Sequence, residues 1–344
     1  MPWLEEPFPP GASALIRWNR DRLRNPPPPN PPPGAIPTEE PRPARPRVPD
    51  GETRVTWIGH ATFLIQLGGL NVLTDPVFSE RATPISWLGP RRLLPPSLGI
   101  DELPPIDVVL LSHSHYDHLD APSVDRLRDR FGDGLRWVTP LGYREWFAGR
   151  HIRGVVELDW WDGVSVGGPR GAGVGASEGA AYHGDDVPST EHIRITACPA
   201  QHWCRRGFRT NERLWASFVL RASDGRSVYF GGDSGYFEGY RDIGARHGSF
   251  DVTILPIGAY EPRWFMETSH KKPEDAVQAY RDLGSRGGFI GMHWGTFRLT
   301  DEDVLEPPIR TRAAWAAAGL PEDDLHLPGV GGTVVVDPVA KGPE

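Results

Sequence analysis

Cysteine is nearly absent: Cys198 and Cys204 are the only two in a chain of 344 residues. Two thiols with five residues between them argue against a disulfide framework and against a zinc site built on thiolates, and they suit a reducing compartment in which both stay free. Long apolar runs are missing too. Nowhere do 18 consecutive apolar residues occur, and the opening Met1-Pro2-Trp3-Leu4-Glu5-Glu6-Pro7 lacks both a basic n-region and an apolar h-region, so neither a membrane span nor a secretory leader is expected. The expectation is a cytoplasmic protein, touching a membrane at most peripherally at its inner face. A basic excess is the third absence: 37 Lys and Arg against 45 Asp and Glu give a net charge of −8. That balance offers no general attraction to phosphate backbones, although a local basic patch survives such an average, and no nucleic-acid partner is expected.

Proline, glycine and histidine are what the chain has in quantity, with 37, 40 and 12 residues. Residues 26–50 hold Pro26-Pro27-Pro28-Pro29, Pro31-Pro32-Pro33 and further prolines to Pro49, a composition that favours extended segments and forbids a regular helix or a central strand. Residues 1–50 therefore read as a proline-rich arm and not as core, with the main domain over 51–340. Within it, residues 163–190 are rich in Gly, Ala and Ser without periodicity, as in a long surface loop or insertion.

Short β-type runs bounded by Gly, Pro and Asp occur at residues 55–58, 62–67, 71–74, 108–111, 136–138, 193–197, 216–220, 227–230, 252–255 and 333–336. Helices are expected from Ala121 to Arg130 behind Asp120, from Pro273 to Leu283, and from Thr300 to near Gly319. A faint repeat runs through the chain. The stretch Thr62 to Asp75 resembles Ser217 to Asp233, each a hairpin ending in an acidic residue, and Asp107-Val108-Val109-Leu110-Leu111 matches Asp251-Val252-Thr253-Ile254-Leu255. Two similar β-then-α halves imply two sheets packed face to face with helices outside.

The apolar run Val108 to Leu111 leads into Ser112-His113-Ser114-His115-Tyr116-Asp117-His118. His113 and His115, two residues apart, project from one side of extended backbone, and Asp117 and His118 follow once the chain turns. Four such side chains in six residues resist protonation when crowded, and a divalent cation relieves the conflict; imidazole with carboxylate suits zinc, then cobalt, manganese and iron. Two metals need more ligands. His202, Asp233 and His293 are further candidates, each after a β-type run, although singly His202 and His293 read equally as packed core histidines and Asp233 as a turn former.

The pattern His113-x-His115-x-Asp117-His118 followed by separated His, Asp and His resembles the metallo-β-lactamase superfamily. Gly59-His60-Ala61-Thr62, Thr74-Asp75-Pro76, Pro199-Ala200-Gln201-His202-Trp203, Leu214-Trp215, Gly232-Asp233-Ser234-Gly235-Tyr236, Ile257-Gly258-Ala259-Tyr260-Glu261-Pro262-Arg263 and His293-Trp294-Gly295-Thr296 resemble its N-acylphosphatidylethanolamine-hydrolysing phospholipase D branch, over about Thr53 to Thr300. The resemblance implies a four-layered αββα fold and two zinc ions. His113, His115 and His202 would hold one ion, Asp117, His118 and His293 the other, and Asp233 would bridge them. It also implies that His270 is an active-site histidine that binds no metal, so that Asp117, Asp233 and His270 are the catalytic candidates. A hydroxide bridging the metals would attack a phosphodiester lipid. The expected partners are that phospholipid, or another small phosphodiester, a peripheral membrane contact and a second copy of the chain.

Smaller expectations attach to neighbouring residues. Asp75 would accept the free N–H of a ligand histidine with His60 nearby, Trp203, Trp264 and Trp294 would wall the pocket, and Arg263 would steer an anionic head group. The competing readings are a metal-dependent lactonase of the same fold, a nuclease, which the acidic charge disfavours, and a non-catalytic lipid- or metal-binding protein.

Overall fold

A computed structural model describes residues 11–85, 87–167, 192–207 and 209–336. In chain order the first half contains α1 (Ala12–Arg24), β1 (Thr53–Gly59), β2 (Thr62–Leu67), β3 (Leu70–Thr74), β4 (Val108–Leu110), α2 (Ala121–Phe131), β5 (Arg136–Pro140), α3 (Arg144–Ala148), β6 (Val155–Leu158) and β7 (Gly163–Val166). The second half contains β8 (Ile193–Cys198), β9 (Arg205–Arg206), β10 (Arg209–Thr210), β11 (Ser217–Ala222), β12 (Ser227–Phe230), α4 (Gly239–His247) and β13 (Val252–Pro256). It ends with α5 (Arg263–Met266), α6 (Pro273–Asp282), β14 (Gly288–Met292), α7 (Glu306–Ala317), β15 (Leu325–His326) and β16 (Thr333–Val336).

Successive strand residues face opposite sides of a sheet, and in β2 to β4 both sides are buried. Phe63, Ile65, Val72, Val108 and Leu110 point into a core shared with Ile195, Phe218, Val228 and Ile254 of the second sheet. Leu64, Leu73 and Val109 face the other way, against Val124 and Leu127 of α2 and Phe147 of α3. Ala276, Val277 and Tyr280 of α6, with Trp315 of α7, close the far side of the second sheet. Helix, sheet, sheet and helix therefore stack in four layers, the expected αββα fold.

The strand orders are β16-β1-β2-β3-β4-β5-β6 and β15-β14-β13-β12-β11-β8-β7. From β16 and from β7 inward, each sheet pairs antiparallel three times and parallel three times. The faint repeat is thus real in three dimensions, and it contains an exchange: β7 leaves the first half to edge the second sheet, and β16 leaves the second half to edge the first.

Several expectations need correcting. The proposed loop over 163–190 begins as a strand, because Gly163 to Val166 pairs antiparallel with Thr196 to Ile193; residues 168–191 lie outside the described residues. The last helix starts at Glu306, not near Thr300. The Glu302 carboxylate accepts from Ala259 N (2.7 Å), Glu261 N (3.1 Å) and Thr300 Oγ1 (2.8 Å), which holds the segment irregular until Pro307 and Pro308 open the first turn. Asp120 occupies the N-cap of α2 without bonding its amides and accepts instead from Ser79 Oγ at 2.6 Å. The arm is not wholly outside the core either, since Ile36, Ala44 and Val48 are buried and the Ala44 amide donates to buried Gln66 Oε1 at 2.8 Å. Cys198 and Cys204 are both free and buried.

Candidate metal centre

Six strands end at one rim, and the residue or loop after each carries a polar side chain into a common space. His60 follows β1, Asp75 follows β3, residues 112–118 follow β4, His202 follows β8, Asp233 follows β12 and His293 follows β14. The backbone there is strained. His60, Asp75 and His293 all have positive φ (57°, 33° and 65°), a conformation that persists in non-glycine residues only where surrounding structure imposes it, and such residues cluster at functional sites. Gly232 has φ 53°, and a Cβ there would lie 2.8 Å from the Ser112 Cβ, so only glycine lets the Asp233 turn approach the histidine loop.

The donors fall into two groups. His113 Nε2 lies 2.8 Å from His115 Nδ1, which lies 3.2 Å from His202 Nε2. His118 Nε2 lies 3.3 Å from His293 Nε2, and Asp117 Oδ2 is 3.6 and 3.5 Å from those two nitrogens. Asp233 Oδ2 stands between the groups, 3.2 Å from His118 and His293 Nε2 and 3.9 Å from His113 and His202 Nε2. Two ligands at about 2.1 Å from one tetrahedral ion are about 3.4 Å apart, which is the spacing seen within each group.

Hydrogen bonds fix which imidazole nitrogen is free to bind. Buried Asp75 accepts from Ser112 N (2.7 Å), Ser112 Oγ (2.6 Å) and His118 Nδ1 (2.7 Å). With its proton given to Asp75, Ser112 Oγ accepts from His113 Nδ1 at 2.9 Å. One carboxylate thereby leaves the Nε2 lone pairs of His118 and His113, one in each group, facing the centre. His202 Nδ1 donates to Ser269 O at 3.0 Å, and His60 Nε2 donates to Asp117 Oδ2 at 3.0 Å.

The electrostatics match a cation site. Burial, reinforced by neighbouring imidazoles, holds the pKa of His113 well below the ordinary value. Burial also depresses His202 well below it and His115 to about 4, in both cases against the pull of nearby carboxylates. Burial would lower His118 and His293 as well, but Asp233 and Asp117 outweigh it, raising His118 well above the ordinary value and His293 to about 9. Burial would raise Asp117 and Asp233, yet His118 chiefly, with His293 beside it, keeps both well below the carboxylate range. Asp233 Oδ1 is buried without a hydrogen-bond partner. A buried carboxylate oxygen left unpaired among converging lone pairs is what a divalent ion corrects, so the residues fit a metal centre.

A cavity of about 260 Å³ with mostly apolar walls opens onto His115, Asp117 and Asp233. Trp203, Phe265, Met266 and His270 line it. The His270 ring lies 5.2 Å from that of His202 and 5.6 Å from that of His293, and its Nδ1 is buried and unpartnered. Two expectations fail here. Trp264 is stacked under Arg17, 3.9 Å from the ring centroid, and does not line this cavity; Trp294, packed on Trp57 at 5.4 Å, lines a separate cavity with His293 and Ala259. Arg263 does not reach a head group, because its Nη1 donates to His270 O at 3.0 Å and its Nη2 lies 3.5 Å from Asp275 Oδ2. Leu15 and Trp18 of α1 line the cavity unanticipated. Asp301 holds that helix in place, accepting from Trp18 Nε1 and Arg22 Nε, both at 2.5 Å.

Layers and donor set together define a metal-dependent hydrolase of the metallo-β-lactamase fold. Residues 70–294 match the model of the β-lactamase superfamily domain, and the chain belongs to that family. It is 37% identical over 260 residues to N-acyl-phosphatidylethanolamine-hydrolyzing phospholipase D 1 of Caenorhabditis elegans, covering 73% of this chain and 67% of the worm protein. It is 31% identical to the mitochondrial N-acyl-phosphatidylethanolamine-hydrolyzing phospholipase D of Saccharomyces cerevisiae, over 82% of this chain and 56% of the yeast protein. Among solved structures, a possible metal-dependent hydrolase from Veillonella parvula superposes with a TM-score of 0.60 at 15% identity, covering 82% of this chain and 99% of its own. Among the described residues no helix is long and apolar enough to cross a membrane.

Proposed function

We propose that the chain is a binuclear phosphodiesterase of phospholipase D type, acting on lipids that resemble N-acylphosphatidylethanolamine. The observation that carries this reading is the division of the donors into two groups sharing Asp233 Oδ2 at the floor of an apolar cavity. His113, His115 and His202 would hold one divalent ion and Asp117, His118 and His293 the other, with Asp233 serving both groups. Imidazole-rich, thiolate-free donors favour zinc. The worm and yeast relatives support the lipid class. In this reading residues 51–340 are the hydrolase domain and residues 1–50 a proline-rich arm, of which Ile36, Ala44 and Val48 are buried.

When bound, the metal pair supplies water acidified towards neutrality and positive charge for the phosphoryl oxygens. The chain does the rest. Asp75 and Ser112 hold the histidine tautomers. Trp203, Phe265 and Met266 line the cavity and exclude bulk water around the phosphate. His270, brought to about 3 by burial, waits as a neutral imidazole whose proton affinity rises when an anionic phosphate enters. It takes up the proton that the attacking water gives up and passes it to the departing oxygen. Water oxygen is added to phosphorus, the bond from phosphorus to the ethanolamine oxygen breaks, and phosphatidic acid and an N-acylethanolamine result. The lipid is met from the aqueous side at a membrane surface, since a single chain drawn into the cavity needs no spanning helix.

The test is product analysis with zinc-loaded protein and N-acylphosphatidylethanolamine in mixed micelles. Chelator-sensitive release of phosphatidic acid supports the reading. Ring opening of a lactone with no phosphodiester turnover overturns it in favour of a lactonase, and no turnover of either overturns it in favour of a binding protein.

A further inference from the structure

Two apolar cavities meet beside the metal centre. The first, of about 260 Å³, runs towards Trp18 and Phe265. The second, of about 370 Å³ and more open, runs towards Pro84 and Tyr116. His115, Trp203 and Arg205 line both, so they form the threshold between them. Whatever spans the two places its middle at His115, within reach of the site, and its ends in apolar surroundings.

Among the described residues the cation at that threshold has no carboxylate partner. Arg205 begins the β9–β10 hairpin, and its neighbours are all engaged. Arg206 is clamped between Ser114 O (3.2 Å) and Leu119 O (2.8 Å), Arg209 pairs with Glu212 at 3.0 Å, and Arg213 donates to Gly142 O at 3.1 Å. Across the first cavity, Arg22 is bound to Asp301 and Arg17 lies over Trp264. Lys271, next to His270, is buried with its Nζ on Ser234 O at 3.0 Å. Among the described residues the Arg205 side chain makes one bond, Nε to Gly207 O at 3.2 Å, and no carboxylate pairs with it. Its guanidinium edge is left to a ligand beside the cavity that also exposes Asp117 and Asp233.

We propose that Arg205 is the residue that selects substrates carrying a negative charge between two apolar arms. This rests on the cavity being the substrate site, as in the reading above, and it moves the head-group role from Arg263, which is tied to His270 O, to the opposite wall. A planar guanidinium can offer a phosphodiester two parallel N–H groups, which an ammonium cannot. A triester or a carboxylic ester, lacking the charge, gains nothing from it.

The test compares full-length, zinc-loaded wild type with Arg205→Gln and Arg205→Lys by calorimetry. The probes are diphenyl phosphate, a monoanion with two apolar arms, and its neutral methyl ester. Arg205→Gln is expected to weaken diphenyl phosphate about fivefold, the size for one partly exposed charged contact, and to leave the neutral ester within about twofold. Arg205→Lys recovers part of the loss, and about 0.5 M salt shrinks it. Equal weakening of both probes, or unchanged binding of diphenyl phosphate, overturns the proposal. Because the readout is binding, the two readings can fail separately. A charge-selective effect of Arg205 without phosphodiester turnover removes the proposed function alone, and turnover with no effect of Arg205→Gln removes the role of Arg205 alone.

Discussion

Asp75 is the residue whose replacement should reveal most about how the centre is held. In Asp75→Asn the amide oxygen can keep the bond from Ser112 N, but an NH2 group replaces the oxygen that accepts from Ser112 Oγ and His118 Nδ1. An NH2 group accepts nothing. His118 then faces a donor and shifts its proton to Nε2, the nitrogen aimed at Asp233. Ser112 Oγ, no longer donating to a carboxylate, turns its hydrogen towards His113 Nδ1, and His113 loses its lone pair at Nε2 in the same way. One substitution thus perturbs a donor in each group. Loss of an outer hydrogen-bond partner typically weakens metal binding about 10- to 100-fold, about 1.4 to 2.8 kcal/mol per ion, and here both ions should be affected. Chelator competition with Zn²⁺ at constant pH measures it. Ser112→Ala, which leaves the Asp75–His118 bond intact, should weaken mainly the ion held by His113. Asp75→Asn binding two ions with wild-type affinity would refute the relay, and so would a Ser112→Ala defect shared equally by both ions.

The remaining predictions concern stoichiometry, catalysis and pH. Fully loaded protein should hold about two divalent ions per chain by elemental analysis, and Asp233→Asn should lose at least one; one ion in saturated wild type contradicts the bridging role. His270→Ala should keep its metals and lose about 100- to 10,000-fold in turnover, with unchanged kinetics returning His270 to a cavity-wall role. In metal-free protein, His293 is raised from an ordinary 6.5 to about 9 by Asp233 and Asp117 against burial. Its protonated form therefore adds stability that is full below about pH 6.5 and lost as pH rises through about 9. The melting temperature of chelated protein should fall across that interval while that of zinc-loaded protein does not, and parallel profiles would contradict this.

Much of the centre could be read in the sequence because its densest part is local. His113 and His115 share a side of extended backbone, Asp117 and His118 follow at the turn, and the structure brings all four within reach of His202, Asp233 and His293. What stayed hidden depends on contacts far apart in sequence. Residues 12–24 beside a proline run gave no sign that Trp18 would bond Asp301, 283 positions away, and line the cavity. Arg263 was misjudged because its partners, a carbonyl and Asp275, exist only once the chain turns into α6. The β-type run before His293 was read without bounds because Gly288 and Gly291 dilute its apolar signal, although Ile257 and Leu327 side chains lie 2.7 Å from where a Cβ on Gly291 would sit.

The exchange of β7 and β16 makes the two halves mutually dependent. A fragment ending before residue 168 would carry β7 with no sheet to join and would expose the edge of β1 that β16 covers. A fragment starting after 191 would be bare in the reciprocal places. Each half alone presents an unpaired strand edge, the surface through which chains aggregate, and each carries the piece that heals the other. A single cut between 168 and 191 should therefore leave a tightly associated pair, and separately made halves should be insoluble alone yet reassemble when refolded together.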